Sequence, residues 1–295
     1  MTQTRRAPVR HDPPIEMRET LNFWLTNRLP RNLLTRFMGW FSKIRSPLLA
    51  RITIAVWQWF VDDLRLFEAR KQRFDSLHDC FTRELEPGAR PIDQDPEVMV
   101  SPCDAQIGEF GRIDGDRLYQ AKGLSYSLAE LLGDPLLAQQ YQGGSFVTLR
   151  LKSSMYHRFH APDAGSLKQI KYIAGEVFNV NPPTLKRLPG VFLRNERAVL
   201  PLDLDGLGQV VTLVPVAAIL VASLRLHGLE EALNSGYDGP ARIPCRIDFE
   251  RGQELGYFEH GSTIIVLARA GLRLHENLAT GQIIRMGQPL LRRTG

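Results

Sequence analysis

The chain has 295 residues, 43% apolar and 23% charged, enough for a packed core in one large domain or two smaller ones and too apolar for wholesale disorder. Cys80, Cys103 and Cys245 are odd in number and widely spaced, with no CxxC or Cys/His cluster. That argues against a disulfide framework or a metal centre and suits a reducing compartment. The net charge of +5 is unevenly placed: residues 1–73 carry 14 Lys/Arg against 6 Asp/Glu, and the remainder 23 against 26.

Residues 1–17 are polar and contain prolines, which predicts a disordered lead-in. Residues 18–86 read as a helical region. Leu33, Phe37, Trp40, Phe41 and Ile44 recur at helical spacing, and Pro47 can open a second helix with Leu48, Ile52, Ala55, Val56 and Trp59 on one side. A third helix is predicted from Ser76 to Leu85, stopped by Pro87-Gly88. Between Glu19 and Asp62 there is no acidic residue, whereas Arg28, Arg31, Arg36, Lys43, Arg45 and Arg51 lie there with all four tryptophans, Trp24, Trp40, Trp57 and Trp59. Basic residues mixed with tryptophans suit an anionic lipid surface or nucleic acid; packing as an ordinary helical domain stays open beside both. The apolar run from Ile52 to Phe60 is interrupted by Thr53 and Gln58 and falls short of the roughly 20 residues that span a bilayer. The polar first 20 residues lack the apolar stretch of a signal peptide. A cytosolic chain that at most lies on a membrane is expected.

Residues 87–295 change texture. Short apolar runs alternate with Gly, Pro, Asn and Asp turns, as in Val147, Leu149 and Leu151 with Thr148 and Arg150 between them. Val210 to Leu224 is a long apolar run broken by Pro215, read as one or two buried strands, and Thr263 to Leu267 as another. No βαβ repeat appears. The expected fold class is α+β: a β-rich, barrel- or sandwich-like core (87–295) with an N-terminal helical membrane-associating region (18–86).

The chain has no GxGxxG after a strand, no Walker loop, no HExxH and no GxSxG elbow. Three local features remain. His157 and His160 lie three apart before Pro162 and suit acid–base work near neutral pH, or are simply surface or core histidines. Asp104 ends the Pro-marked loop Ser101-Pro102-Cys103-Asp104, where a turn or cap is the simpler role. Gly261-Ser262 precedes a buried strand, a common place for a turn.

Taken together these segments resemble the phosphatidylserine decarboxylases, pyruvoyl-dependent enzymes, and within them the bacterial membrane-associated type. The matching stretches are Phe81-Thr82-Arg83-Glu84-Leu85, Arg90-Pro91-Ile92-Asp93, residues 101–104, Gln120-Ala121-Lys122-Gly123, residues 156–162, Arg194-Asn195-Glu196-Arg197, residues 261–263 and Gly287-Gln288-Pro289-Leu290, in the family's order. His260 departs from the aliphatic residue that many members carry before Gly-Ser.

The resemblance implies that Asp104, His160 and Ser262 form a protease-like triad used once, on the chain itself. Ser262 would attack Gly261, His160 acting as base and Asp104 orienting it. The cut at 261/262 would give residues 1–261 and 262–295, which stay together as a heterodimer, with Ser262 converted to a covalent pyruvoyl cofactor. Phosphatidylserine would then form a Schiff base with it, lose carbon dioxide and leave as phosphatidylethanolamine, with His157 in the protonation step. The implied partner is phosphatidylserine in an anionic membrane, at the cytoplasmic face of the cell membrane, with a homo-oligomer possible; this weighs against nucleic acid. Lys122, Arg194 and Arg197 are candidate phosphate contacts or structural charges. The alternatives are a pyruvoyl decarboxylase of another amino substrate, an uncleaved lipid-binding relative, and a conventional serine hydrolase.

Overall fold

Pro47 suits the first turn of a helix, where no amide hydrogen is needed, and Ser46 caps that turn by accepting from the Leu49 amide at 3.4 Å. The result is α2 (Pro47–Phe60), after α1 (Arg31–Phe41) and before α3 (Leu77–Phe81), which Ser76 caps in the same way. The computed structural model describes residues 31–61, 63–121, 123–218, 223–259 and 262–294, so the expected lead-in 1–17 lies outside the described residues. Ala50 and Ile54 of α2 pack against Leu64, Ala69, Phe74 and Cys80, and Trp57 stacks on Phe81 at 5.8 Å. The side expected to be apolar, Leu48, Ile52, Val56 and Trp59, points outward, and Trp59 is 85% exposed. α3 stops short of Leu85 because the chain after it turns extended: Glu84 accepts from the Arg70 amide and Leu85 bridges Ala69.

The β-structure comprises β1 (Val98–Val100), β2 (Ala105–Arg112), β3 (Arg117–Ala121), β4 (Leu124–Ser127), β5 (Ser145–Leu151), β6 (Arg158–His160), β7 (Gly165–Ile173) and β8 (Arg197–Leu204). It continues with β9 (Gln209–Ala217), β10 (Leu224–Leu226), β11 (Arg242–Phe249), β12 (Glu254–Phe258), β13 (Ser262–Ala268), β14 (Leu272–Leu274), β15 (Ile283–Ile284) and β16 (Pro289–Arg293). An antiparallel eight-stranded sheet runs β11-β7-β8-β9-β13-β5-β2-β15, flanked by β1-β16-β14, β10-β12-β6 and the hairpin β3-β4. The main sheet is open, which corrects the barrel expectation. β15 has only two paired residues, and β11 carries Pro244 beside a register shift, so neither edge is built to close on the other.

β13 is buried along its whole length, between β9 and β5. Its alternate residues feed two cores: Ile264 and Val266 join Val147, Leu149 and Leu213 on one face, and Ile265 and Leu267 join Phe146, Val214 and Val216 on the other. Short helices cover the second face through Leu128, Leu131 and Phe192. Burial on both faces explains why this strand reads as a continuous apolar run. Pro215 does not break β9. The pairing with β8 passes from Arg197↔Val216 to Leu200↔Leu213, so the missing amide hydrogen of Pro215 falls where that ladder lapses.

Candidate active site

Ser262 opens β13, opposite Leu151 of β5 and Ala217 of β9. It is fully buried, and its Oγ has no hydrogen-bond partner among the described residues. A buried hydroxyl left unpaired costs about 1–3 kcal/mol, so such a group invites a functional explanation. Ser262 lines a cavity of about 660 Å³ between the helical region and the sheet. Val56, Trp57 and Phe60 of α2 and Leu77 and Phe81 of α3 form one wall; Arg150 to Ser154, Asn179 to Asn181 and Ala218 form the other. Gly261 and His260 lie outside the described residues, as does Lys122.

The two histidines enter from β6 and the turn before it. His160 is buried, and its Nδ1 lies 2.9 Å from the carbonyl oxygen of Gly252. A carbonyl only accepts, so Nδ1 carries the proton, and Nε2 accepts from the Tyr156 hydroxyl at 2.9 Å. Burial lowers the pKa of His160, against the Gly252 contact and nearby carboxylates, so the ring is a neutral base. Burial pushes the Tyr156 phenol up, which keeps it a donor. His157 is fully buried: its Nδ1 donates to Met155 at 2.8 Å and its ring lies 4.0 Å from that of Phe81, on the cavity wall.

Asp104 sits beside this strand, since the His160 amide donates to Pro102 at 2.7 Å. The Asp104 carboxylate accepts from Nε and Nη2 of Arg90, one edge of the guanidinium, at 2.6 to 3.1 Å, and from the Met286 amide at 3.0 Å. Arg90 also reaches Glu68, which pairs with Arg65 and Arg285. Burial opposes the charge on Arg90, but Asp104 and Glu68 outweigh it and raise its pKa. Glu68 falls to about 2: burial works against its charge, and Arg65, Arg90 and Arg285 overcome that.

The structure thus brings Asp104 and His160 onto adjoining segments and gives Ser262 its own cavity. No hydrogen bond among the described residues joins the three side chains to one another. Sequence reasoning missed Arg90, Tyr156 and Gly252 as partners of the predicted residues, although the first two stand within quoted motifs. Arg197 is structural: its guanidinium is spent on the carbonyls of Glu130, Leu131, Leu193 and Asn195. Arg194 lies over the Phe178 ring, 5.6 Å from its centroid.

The sequence model of the phosphatidylserine decarboxylase family matches residues 77–292, a span that includes Asp104, both histidines and Ser262. This chain belongs to the phosphatidylserine decarboxylase family. Its similarity to curated members extends beyond that span. It is 38% identical over 276 residues to the phosphatidylserine decarboxylase proenzyme of Pseudomonas fluorescens, covering 89% of this chain and 93% of that one. The proenzyme of Vibrio parahaemolyticus is 35% identical over 287 residues, 91% and 96% of the two chains. That of Pseudomonas entomophila is 38% identical over 280 residues, 89% and 94%.

Proposed function

We propose that the chain decarboxylates phosphatidylserine to phosphatidylethanolamine at a membrane surface, with a pyruvoyl group made from its own Ser262. The observation that carries this is the buried, unpaired hydroxyl of Ser262, a residue on the cavity wall, in a member of a family whose relatives are named proenzymes.

Self-cleavage begins with Ser262 Oγ attacking the carbonyl carbon of Gly261 as its proton passes to His160. The C–N bond breaks and an ester takes its place. Elimination across the Cα–Cβ bond then releases the Gly261 carboxylate, and water displaces the nitrogen as ammonia. The step requires His160 Nε2 to exchange the Tyr156 hydroxyl for that of serine. Asp104, held by Arg90, supplies negative charge near the ring; the carbonyl of Gly252 fixes its tautomer. The unpaired, enclosed position of Ser262 fits a group that must lose its hydroxyl and meet a substrate from the cavity side.

A pyruvoyl carbonyl supplies the electron sink for the charge left when carbon dioxide departs. The apolar helical wall excludes water and receives acyl chains. Arg150 and Lys152, the cations lining the cavity, face the substrate's phosphate. His157 delivers the proton to the former α-carbon through Nε2, since Nδ1 is engaged with Met155. The exposed Phe37, Trp40, Leu48, Ile52, Trp59 and Phe60 of α1 and α2 form an apolar patch beside basic residues, supporting peripheral attachment to the cytoplasmic face of the cell membrane. No described helix is long and apolar enough to cross a bilayer.

Intact-mass measurement tests the proposal. Mature protein should contain two chains, residues 1–261 and a 34-residue chain with a pyruvoyl amino terminus. Ser262→Ala should stay whole and release no carbon dioxide from phosphatidylserine vesicles. An uncut wild-type chain would sink it.

A further inference from the structure

Glu259 stands three residues before Ser262, on the connection between β12 and β13, where the proposed cut falls. Its residue surface is 8% exposed. Its backbone is pinned on both sides: the Phe258 amide donates to His157 at 3.0 Å, and the Glu259 amide to Ser223 at 3.1 Å. Its carboxylate meets three cations or potential cations. Lys43 Nζ donates to it at 2.9 Å, His78 Nε2 lies 3.4 Å away, and Arg225 Nε 3.8 Å.

Two of these come from the helical region, and they are registered to each other. Lys43 follows α1 and His78 belongs to α3; the His78 amide donates at 2.8 Å to the carbonyl of Ser42, the residue before Lys43. Ser42 is itself fully buried. Lys43 and His78 therefore present one two-pronged donor, assembled only when α1 and α3 are docked. Burial works against a charge on Glu259, yet His78 and Lys43 overcome it and hold the carboxyl down at about 2. An ion pair of this kind, with the acid largely withdrawn from water, fixes geometry more firmly than an exposed surface pair.

We infer that Glu259 is a positioning residue for self-cleavage, through which the docked N-terminal helices hold the connection before Ser262 in a form that can be cut. This rests on Ser262 being the self-cleaving serine. The role ends with the cut, because Glu259 is then third from the end of the larger chain and no longer joined to Ser262.

The test is the rate of cleavage in freshly synthesised full-length chain, followed by intact mass. Glu259→Gln keeps the size and loses the charge; it should slow cleavage on the order of ten-fold, the scale of a modest misplacement of reacting atoms. Lys43→Met with His78→Gln should slow it similarly, and combining all three changes should add little, since they remove one shared contact. Decarboxylation per mole of cleaved Glu259→Gln protein should stay within about two-fold of wild type, because that change leaves the cavity and both histidines untouched. Melting curves confirm folding, and Lys43→Met alone, at a half-exposed position, keeps the test open if a buried change unfolds the chain; it too should slow cleavage. Cleavage of Glu259→Gln at the wild-type rate overturns the inference, as do slowdowns that multiply. If the wild-type chain itself stays uncut, the role given to Ser262 has failed and this one with it; if it is cut and only the variants behave as wild type, the positioning role alone falls.

Discussion

Glu196 shows how a single side chain ties the fold to pH. It is 2% exposed and lies beside Tyr172, whose hydroxyl already donates to Asn234 at 2.8 Å. Burial raises its pKa from 4.5 to about 7, opposed only by the Tyr172 contact. Between these values the folded chain holds a proton that the unfolded chain has lost. The associated stability is fully present below pH 4.5 and is lost as pH rises through about 7, up to about 3 kcal/mol in all. Glu196→Gln, which mimics the neutral acid, should therefore gain on wild type across that window and hold a constant advantage above it. Parallel denaturant titrations at several pH values check this; an unchanging difference would mean that Glu196 is ionised in the fold. At this scale the candidate residues Asp104, His157, His160 and Ser262 were legible as distinctive residue types in family motifs, and their chemical roles belong to the proposal. Their partners were not, because Arg90 lies 14 residues from Asp104 and Gly252 lies 92 from His160, separations closed only in the folded chain.

Among the elements, α2 is the one whose pattern and placement pull apart. Helical periodicity marked Leu48, Ile52, Val56 and Trp59 as one apolar side, and such a side ordinarily faces the core. Here the inward positions are Ala50, Ile54 and Trp57, and the outward side is apolar as well. Periodicity shows that apolar residues share a face but not what the face meets. Replacing Leu48, Trp59 and Phe60 with serine should leave the fold intact, since none is buried. It should weaken flotation with anionic vesicles at least ten-fold, at roughly 1.5–3 kcal/mol for each large apolar side chain kept from the bilayer. Flotation equal to wild type would locate the membrane contact elsewhere. Pro215 teaches the same lesson for strands: it reads as a break, yet a central strand tolerates it where the neighbouring ladder lapses.

For the whole molecule, the apolar runs and turn residues announced a β-rich mixed architecture, but not whether its sheet closes. Closure depends on the edges, and β11 and β15 declare themselves only through their pairing. The proposed cut falls at the start of β13, which pairs through seven residues with β5 and seven with β9. Residues 262–295 also supply β14 and β16, the latter paired with β1, and β15, paired with β2. The two products should therefore co-elute in size-exclusion chromatography without denaturant and unfold in one transition. Separation in native buffer would contradict that.

The central seat of β13 also makes shape and competence separable. Residues 1–261 and 262–295, produced apart and mixed, have every strand needed to rebuild the sheet. They lack the one bond whose rearrangement forms the ester, so the reassembled protein would be a faithful cast of the mature enzyme with an ordinary serine at its heart. On the proposed mechanism the topology therefore sets the order of events: the chain must fold while still continuous, and only then break.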